Sequence, residues 1–327
     1  MSRRGWALFA AMSIIWGIPY LLIKVADGGV AVPVLVLARV GISAALLLPL
    51  AIKQRQLAVL RPHWRWLAAF AVVEIITPWL LLSDAERKLT SSMSGLLVAS
   101  VPIIVVVLGR LTGGTERLSA VRWAGLLVGL GGVALLAGPT ALRGDAWSIT
   151  EVLLVAVCYA IGPLIAGRKL GGLPPLGMNA VCQALAAIVY APLAALTWPS
   201  AVPSWRVLGA LAALAVICTA SAFLIFFRLI AEVGPARASV ITYVNPAIAV
   251  TLGVTVLGER FTPAMAGAFV LILGGSVLAT RSGQGRAPDR EPQAGAVLEA
   301  GPGPQADMAP EPGPAAGSGP APVPAEQ

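Results

Sequence analysis

Apolar runs of about twenty residues follow one another along nearly the whole chain, and this feature decides what it can become. As a helix, such a run is long enough to cross the ~30 Å hydrocarbon core of a bilayer. Charged or Gly/Pro segments bound runs near residues 6–26, 33–51, 64–83, 92–111, 120–138, 149–167, 176–198, 207–227, 237–257 and 262–280. The expected fold is therefore an all-α polytopic membrane protein with ten transmembrane helices. A barrel would need short segments of alternating polarity, and the sequence has none. Charge agrees: only 12% of the 327 residues are charged, against roughly 25% in soluble domains. The start, basic residues followed by an apolar run of full span length, reads as the first span and not as a cleaved leader.

The net charge of +8 does not point to nucleic acid, because the basic residues sit in short loops between apolar runs. They report orientation instead. With a cytoplasmic N-terminus, only Lys24, Arg87, Lys88, Arg143, Arg206 and Arg260 fall outside. The rest of the 23 basic residues, apart from Arg39 within a span, fall inside. Both termini are thus expected in the cytoplasm of a cell bounded by an inner, or plasma, membrane. Past residue 281 the chain turns to Gly, Pro and Ala with scattered acids. Such a segment buries too little apolar surface to offset its ordering entropy, so 281–327 reads as a disordered cytoplasmic tail.

The sequence also matches itself. A shift of 143 positions pairs Trp16 with Tyr159, Pro49 with Pro192, Glu116-Arg117 with Glu259-Arg260, and Gly131-Gly132 with Gly274-Gly275. A shift of 144 pairs Pro102 with Pro246. Two repeats follow, 1–142 and 143–280, each with five spans. Because five is odd, the second copy enters the membrane from the opposite side, the inverted architecture of many carriers.

WGIPY at 16–20, VEIITPWLLLSDAERKLTSSMSGLLVASVP at 73–102 and TERLSAVRWAGLLVGLGGVALL at 115–136 carry a family resemblance. So does EVGPARASVITYVNPAIAVTLGVTVLGERFTPAMAGAFVLILGGSVLA at 232–279. Over roughly residues 6–280 the chain resembles the EamA-like branch of the drug/metabolite transporter superfamily. The resemblance implies a ten-helix carrier, often an exporter of amino acids or other metabolites. Many members have a glutamate before the proline of the last block. Here that place is Asn245-Pro246, so a role for such an acid does not carry over.

No phosphate-binding GxxxxGK[ST] loop occurs, and neither do HExxH or GxSxG motifs. The expected function is secondary transport without ATP, an efflux of small organic solutes, with lipid bilayer and solute as partners and no cofactor or metal. Protons are candidate coupling ions. A non-transporting intramembrane enzyme or a lipid scramblase is the alternative, and a membrane anchor working through its tail is a third.

The candidate site comes from polar content within the spans. Glu74 and Arg39 are the charges placed deep in them, and an unpaired charge at mid-bilayer costs about 2.5–3.5 kcal/mol on insertion scales. Their spans are consecutive and antiparallel, so the arginine is expected to reach the carboxylate. Their counterparts in the second repeat, Cys182 and Ile217 or Cys218, are uncharged, and that asymmetry marks them as functional. Against this stand a helix-to-helix hydrogen bond for Glu74 and snorkelling for Arg39. Trp16, Tyr20, Trp79, Tyr159 and Tyr243 are expected on the cavity wall, with Asn179, Gln183 and Asn245 as hydrogen-bonding groups. Glycines 125, 129, 132, 274 and 275 are expected to allow close helix packing. Glu116 and Glu259 read as structural.

Overall fold

Among the described residues, ten helical units follow the apolar runs. They are α1 (Arg3–Asp27), α2 (Val32–Lys53), α3 (Leu57–Ala85), α4 (Ser91–Leu108), α5 (Ala120–Thr140), α6 (Ala146–Lys169), α7 (Pro175–Leu196), α8 (Trp205–Val233), α9 (Ile241–Val256) and α10 (Pro263–Thr280). The computed structural model describes residues 2–111, 119–140, 145–233, 238 and 241–280, and no strand occurs among them. Eight of the ten are long and apolar enough to cross a membrane, whereas α9 and α10 are shorter apolar helices. The expected tail and Glu116 lie outside the described residues.

Helix ends follow capping chemistry. The hydroxyls of Ser2, Thr90 and Ser204 accept from the backbone N–H three residues on, opening α1, α4 and α8, which satisfies a donor that the helix itself leaves free. Pro175 and Pro263 open α7 and α10, where a missing N–H costs nothing.

Several units are interrupted within their apolar runs. α1 breaks at Ile18 and restarts at Pro19. α4 breaks at Ala99–Ser100, just before Pro102, and Ser276 of α10 donates to the freed Ala99 carbonyl at 3.3 Å. α3 and α8 each contain a wider π turn, Val72–Ile76 and Val216–Ser221. A π turn leaves carbonyls without their usual partners and is frequent at functional sites. Tyr190 of α7 donates to one of them, the Ile76 carbonyl, at 2.5 Å.

Packing pairs α5 with α10, α2 with α7, and α4 with α9. In addition α1 packs on α8 and α9, while α6 packs on α3 and α4. α2 meets α8, and α7 meets α3. The α5–α10 contact brings backbone against backbone. A Cβ at Gly125 would stand 2.5 Å from the Ala279 nitrogen, and one at Gly275 would stand 2.6 Å from the Gly129 Cα. These glycines therefore pack backbone on backbone as expected, Gly132 against Leu271 and Ile272 included, while Gly274 has nothing within 4 Å.

Candidate functional site

Arg39 projects from α2 into the protein and is only 7% exposed. Its Nε donates to the Thr219 hydroxyl at 2.9 Å, and its guanidinium carbon lies 3.6 Å from the centroid of the Trp79 ring. Thr219 sits in the π turn of α8 and donates onward to the Leu214 carbonyl at 2.8 Å. The arginine is thus held by a ring from α3 and a hydroxyl from α8. A cation over an indole face gains about 2 kcal/mol or more when desolvated. Nε is the only Arg39 nitrogen in a hydrogen bond among the described residues, so the terminal nitrogens of the fork stay free to bind.

Snorkelling is therefore not what Arg39 does, and neither is pairing with Glu74. Ion pairs among the described residues join only Arg87 to Asp27 and Asp84. The expectation that Arg39 reaches the Glu74 carboxylate is corrected for a physical reason. Trp79, five residues further along α3, covers the guanidinium face, and Thr219 draws Nε toward α8.

Glu74 lies in the π turn of α3. Its Oε2 is buried and has no hydrogen-bond partner. The carboxylate packs against Gly162 of α6, where even a methyl group would collide with it. Cys158, Tyr159 and Cys182 lie within electrostatic reach of it.

Tyr20 and Tyr159 join this group. Tyr159 lies beside the Trp79 side chain, and both tyrosines lie within electrostatic range of Arg39 and of each other. Arg39, Trp79, Tyr20 and Tyr159 therefore gather in one place, with Glu74 beside them. The other candidates lie elsewhere. Trp16 packs on Phe226 and Phe223 of α8, with ring centroids 4.7 Å and 6.2 Å away. Asn245 of α9, with its amide nitrogen turned to the acceptors, donates to the Ile241 carbonyl at 2.9 Å and the Ser13 carbonyl at 3.2 Å, tying α9 to α1. Gln183 donates to Asn179 at 3.4 Å within α7, and both are buried. Tyr243 is half-buried on α9.

Nothing in the sequence announced a polar network at one end of the bundle. Glu86, just past α3, is completely buried, although its neighbours Asp84, Arg87 and Lys88 suggest an exposed loop. Lys24 of α1 donates to the carbonyls of Glu86 and Leu89. Glu259, in the loop between α9 and α10, accepts from the backbone nitrogens of Ser91 and Ser92 at 2.7 and 3.0 Å. It also accepts from their hydroxyls at 2.9 and 2.5 Å. Glu259 therefore caps α4 from a distant loop, in keeping with the structural role expected of it. Glu151 of α6 is also buried, beside Asp84. The run Thr90-Ser91-Ser92 at a helix start is the one local signal from which a cap could be read, and it does not point to the carboxylate of Glu259.

Known proteins resemble the chain at the level of sequence and of fold. The model of the EamA-like transporter family matches twice, over residues 3–138 and 146–281. The inner membrane transporter YedA of Escherichia coli K12, itself described as uncharacterized, is 30% identical over 263 residues, covering 78% of this chain and 83% of YedA. The YedA proteins of strains O6:H1 and O157:H7 match equally well. A solved structure known only as "Crystal structure of protein" superposes with a TM-score of 0.60 at 22% identity, covering 86% of this chain and 97% of the other. That likeness concerns the fold alone.

Proposed function

The chain belongs to the EamA-like transporter family and is a membrane transporter, and from that premise we propose a ten-span inner-membrane carrier that exports small organic solutes without ATP. Its substrates are amino acids or related compounds, its termini are cytoplasmic, and its two five-helix repeats are inverted. The repeat is supported by the double family match and by the packing scheme. Exchanging each helix of the first five with its counterpart in the second five turns the α2–α8 contact into α7–α3, and α1–α8 into α6–α3. The π turns begin 144 residues apart, at Val72 and Val216. The same offset relates Trp79, which meets Tyr159, to Phe223, which meets Trp16.

One observation carries the transport proposal: a buried arginine, clamped between helices of both halves, keeps its terminal nitrogens free of any acid among the described residues. A guanidinium fork binds a carboxylate through two parallel hydrogen bonds. A solute carboxylate would complete Arg39, and Trp79, Tyr20 and Tyr159 would contact the rest of it. Arg39 spans the seam between α2, α3 and α8, so movement of one half against the other would alter its grip. Alternation between two openings about a central site is how inverted repeats transport. Glu74, unpartnered and close to this site, is the proposed proton carrier.

The test is a screen of amino acids and other carboxylates in inverted vesicles, with and without a proton gradient, followed by flux in proteoliposomes across a pH series. Wild-type protein should move a carboxylated solute faster with the gradient. Glu74→Gln should fold normally by gel filtration and lose the pH dependence. A well-folded Glu74→Gln that retains it would remove the proton role, and lipid movement without solute flux would favour the scramblase.

A further inference from the structure

Glu86 is the one buried carboxyl among the described residues with both oxygens shielded from solvent and neither in a hydrogen bond. Its surroundings are built. Within electrostatic range of it lie Lys24, Asp27 and Tyr20 of α1, Arg39 of α2 and Glu259 of the α9–α10 loop. The nearest cation is already committed, since the Lys24 ammonium donates to the backbone carbonyls of Glu86 and Leu89. Glu259 is committed as well, holding four donors at the start of α4. This end of the bundle is therefore closed by a latch, the α9–α10 loop seated on α4, and Glu259 of that latch lies within electrostatic range of the buried Glu86.

We propose that Glu86 is a proton-binding site whose occupancy controls this latch. A carboxylate buried without donors is costly, whereas the neutral acid is far less so. Burial pushes the Glu86 carboxyl well above the usual glutamate range, with Lys24 opposing, Glu259 and Asp27 adding, and Arg39 opposing. When the latch lifts, water reaches Glu86 and the group ionises as an ordinary glutamate, near pH 4.3. Closing thus takes up one proton from the solution on this side, the carboxylate becoming the acid with no other reactant. The sign follows: the closed form is favoured most below the ordinary value. That preference falls by up to about tenfold per pH unit as the pH rises toward the raised value. The proposal rests on the transporter reading above only for direction. In that orientation the latch faces outside, so each closure loads a proton from outside, as an exporter driven by proton entry requires.

The experiment needs no solute. Spin labels are placed at the exposed Lys88 and Phe261, through Lys88→Cys and Phe261→Cys, in full-length protein whose three native cysteines are replaced by alanine. Label-to-label distances are then measured in nanodiscs from pH 5 to pH 8. The closed-to-open ratio should fall at least tenfold across that range in otherwise wild-type protein. In Glu86→Gln, and in Glu86→Leu should the first fold poorly, it should stay closed and flat. Glu259→Gln should give the open distance at every pH. A flat wild-type profile, or an unchanged slope in the Glu86 variants, would overturn the proposal. A pH-dependent latch in a protein that moves no solute would keep it and remove the transport reading, while solute flux with a flat latch would do the reverse.

Discussion

Two helix contacts related by the repeat, α2 with α8 and α7 with α3, share a frame and differ in charge. In the first, Arg39 of α2 reaches the π turn of α8 and binds Thr219. In the second, Cys182 of α7 lies near the π turn of α3, where Glu74 stands unpartnered. Each contact holds one ionisable side chain, a base in the first and an acid in the second, and the equivalent place in the other holds a thiol or an apolar group. The backbone device repeats, whereas the chemistry does not. A duplicated scaffold can hold its shape with either set of side chains, so the unlike pair must answer to something the scaffold does not need.

Removing the charge from the first contact should have the largest effect. Arg39→Ala deletes the anion anchor, a charge-assisted contact worth about 1.5–3 kcal/mol, so flux of the solute found in the vesicle screen should drop roughly 10- to 100-fold. Arg39→Lys keeps the charge without the fork and should fall in between. Equal flux in all three proteins would reduce Arg39 to packing. In the second contact the gentlest intrusion is Gly162→Ala, whose methyl must displace the Glu74 carboxylate. Overpacking costs about 1–3 kcal/mol, so proton-driven flux should fall by about tenfold, with flux in the absence of a gradient less affected. A gradient-driven rate that does not move would show that the carboxylate position is unimportant. The smallest effect is expected at Thr219. Thr219→Val removes one hydrogen bond of about 1 kcal/mol and should cost about fivefold in apparent affinity for the solute, with Thr219→Ser restoring it. Loss in Thr219→Ser with Thr219→Val unaffected would place the role in the methyl group.

The sequence revealed the helices because membrane spans must be continuous and apolar, and each run maps onto one helical unit. It also exposed Arg39 and Glu74, since a charge inside such a run stands out. What it hid was pairing. The seat of Arg39 on Thr219 joins residues 180 positions apart, and one threonine among many in apolar spans carries no local signal. Glu86 was hidden for the opposite reason: it stands among charged neighbours, where exposure is the natural assumption, and its burial appears only in the folded chain. The π turns left no mark either, as VVEII and VICTAS read like any other apolar helix.

The carboxylate cap on α4 also orders the life of the chain. Ser91 and Ser92 wait for an acceptor 168 and 167 residues downstream, and α5 waits for α10 to fill its glycine face. The N-terminal half therefore leaves the ribosome and enters the bilayer with a helix start unsatisfied and a small-residue face uncovered. Its completion belongs to the α9–α10 hairpin, synthesised after every helix that it joins, which makes that hairpin the step at which these helices become committed.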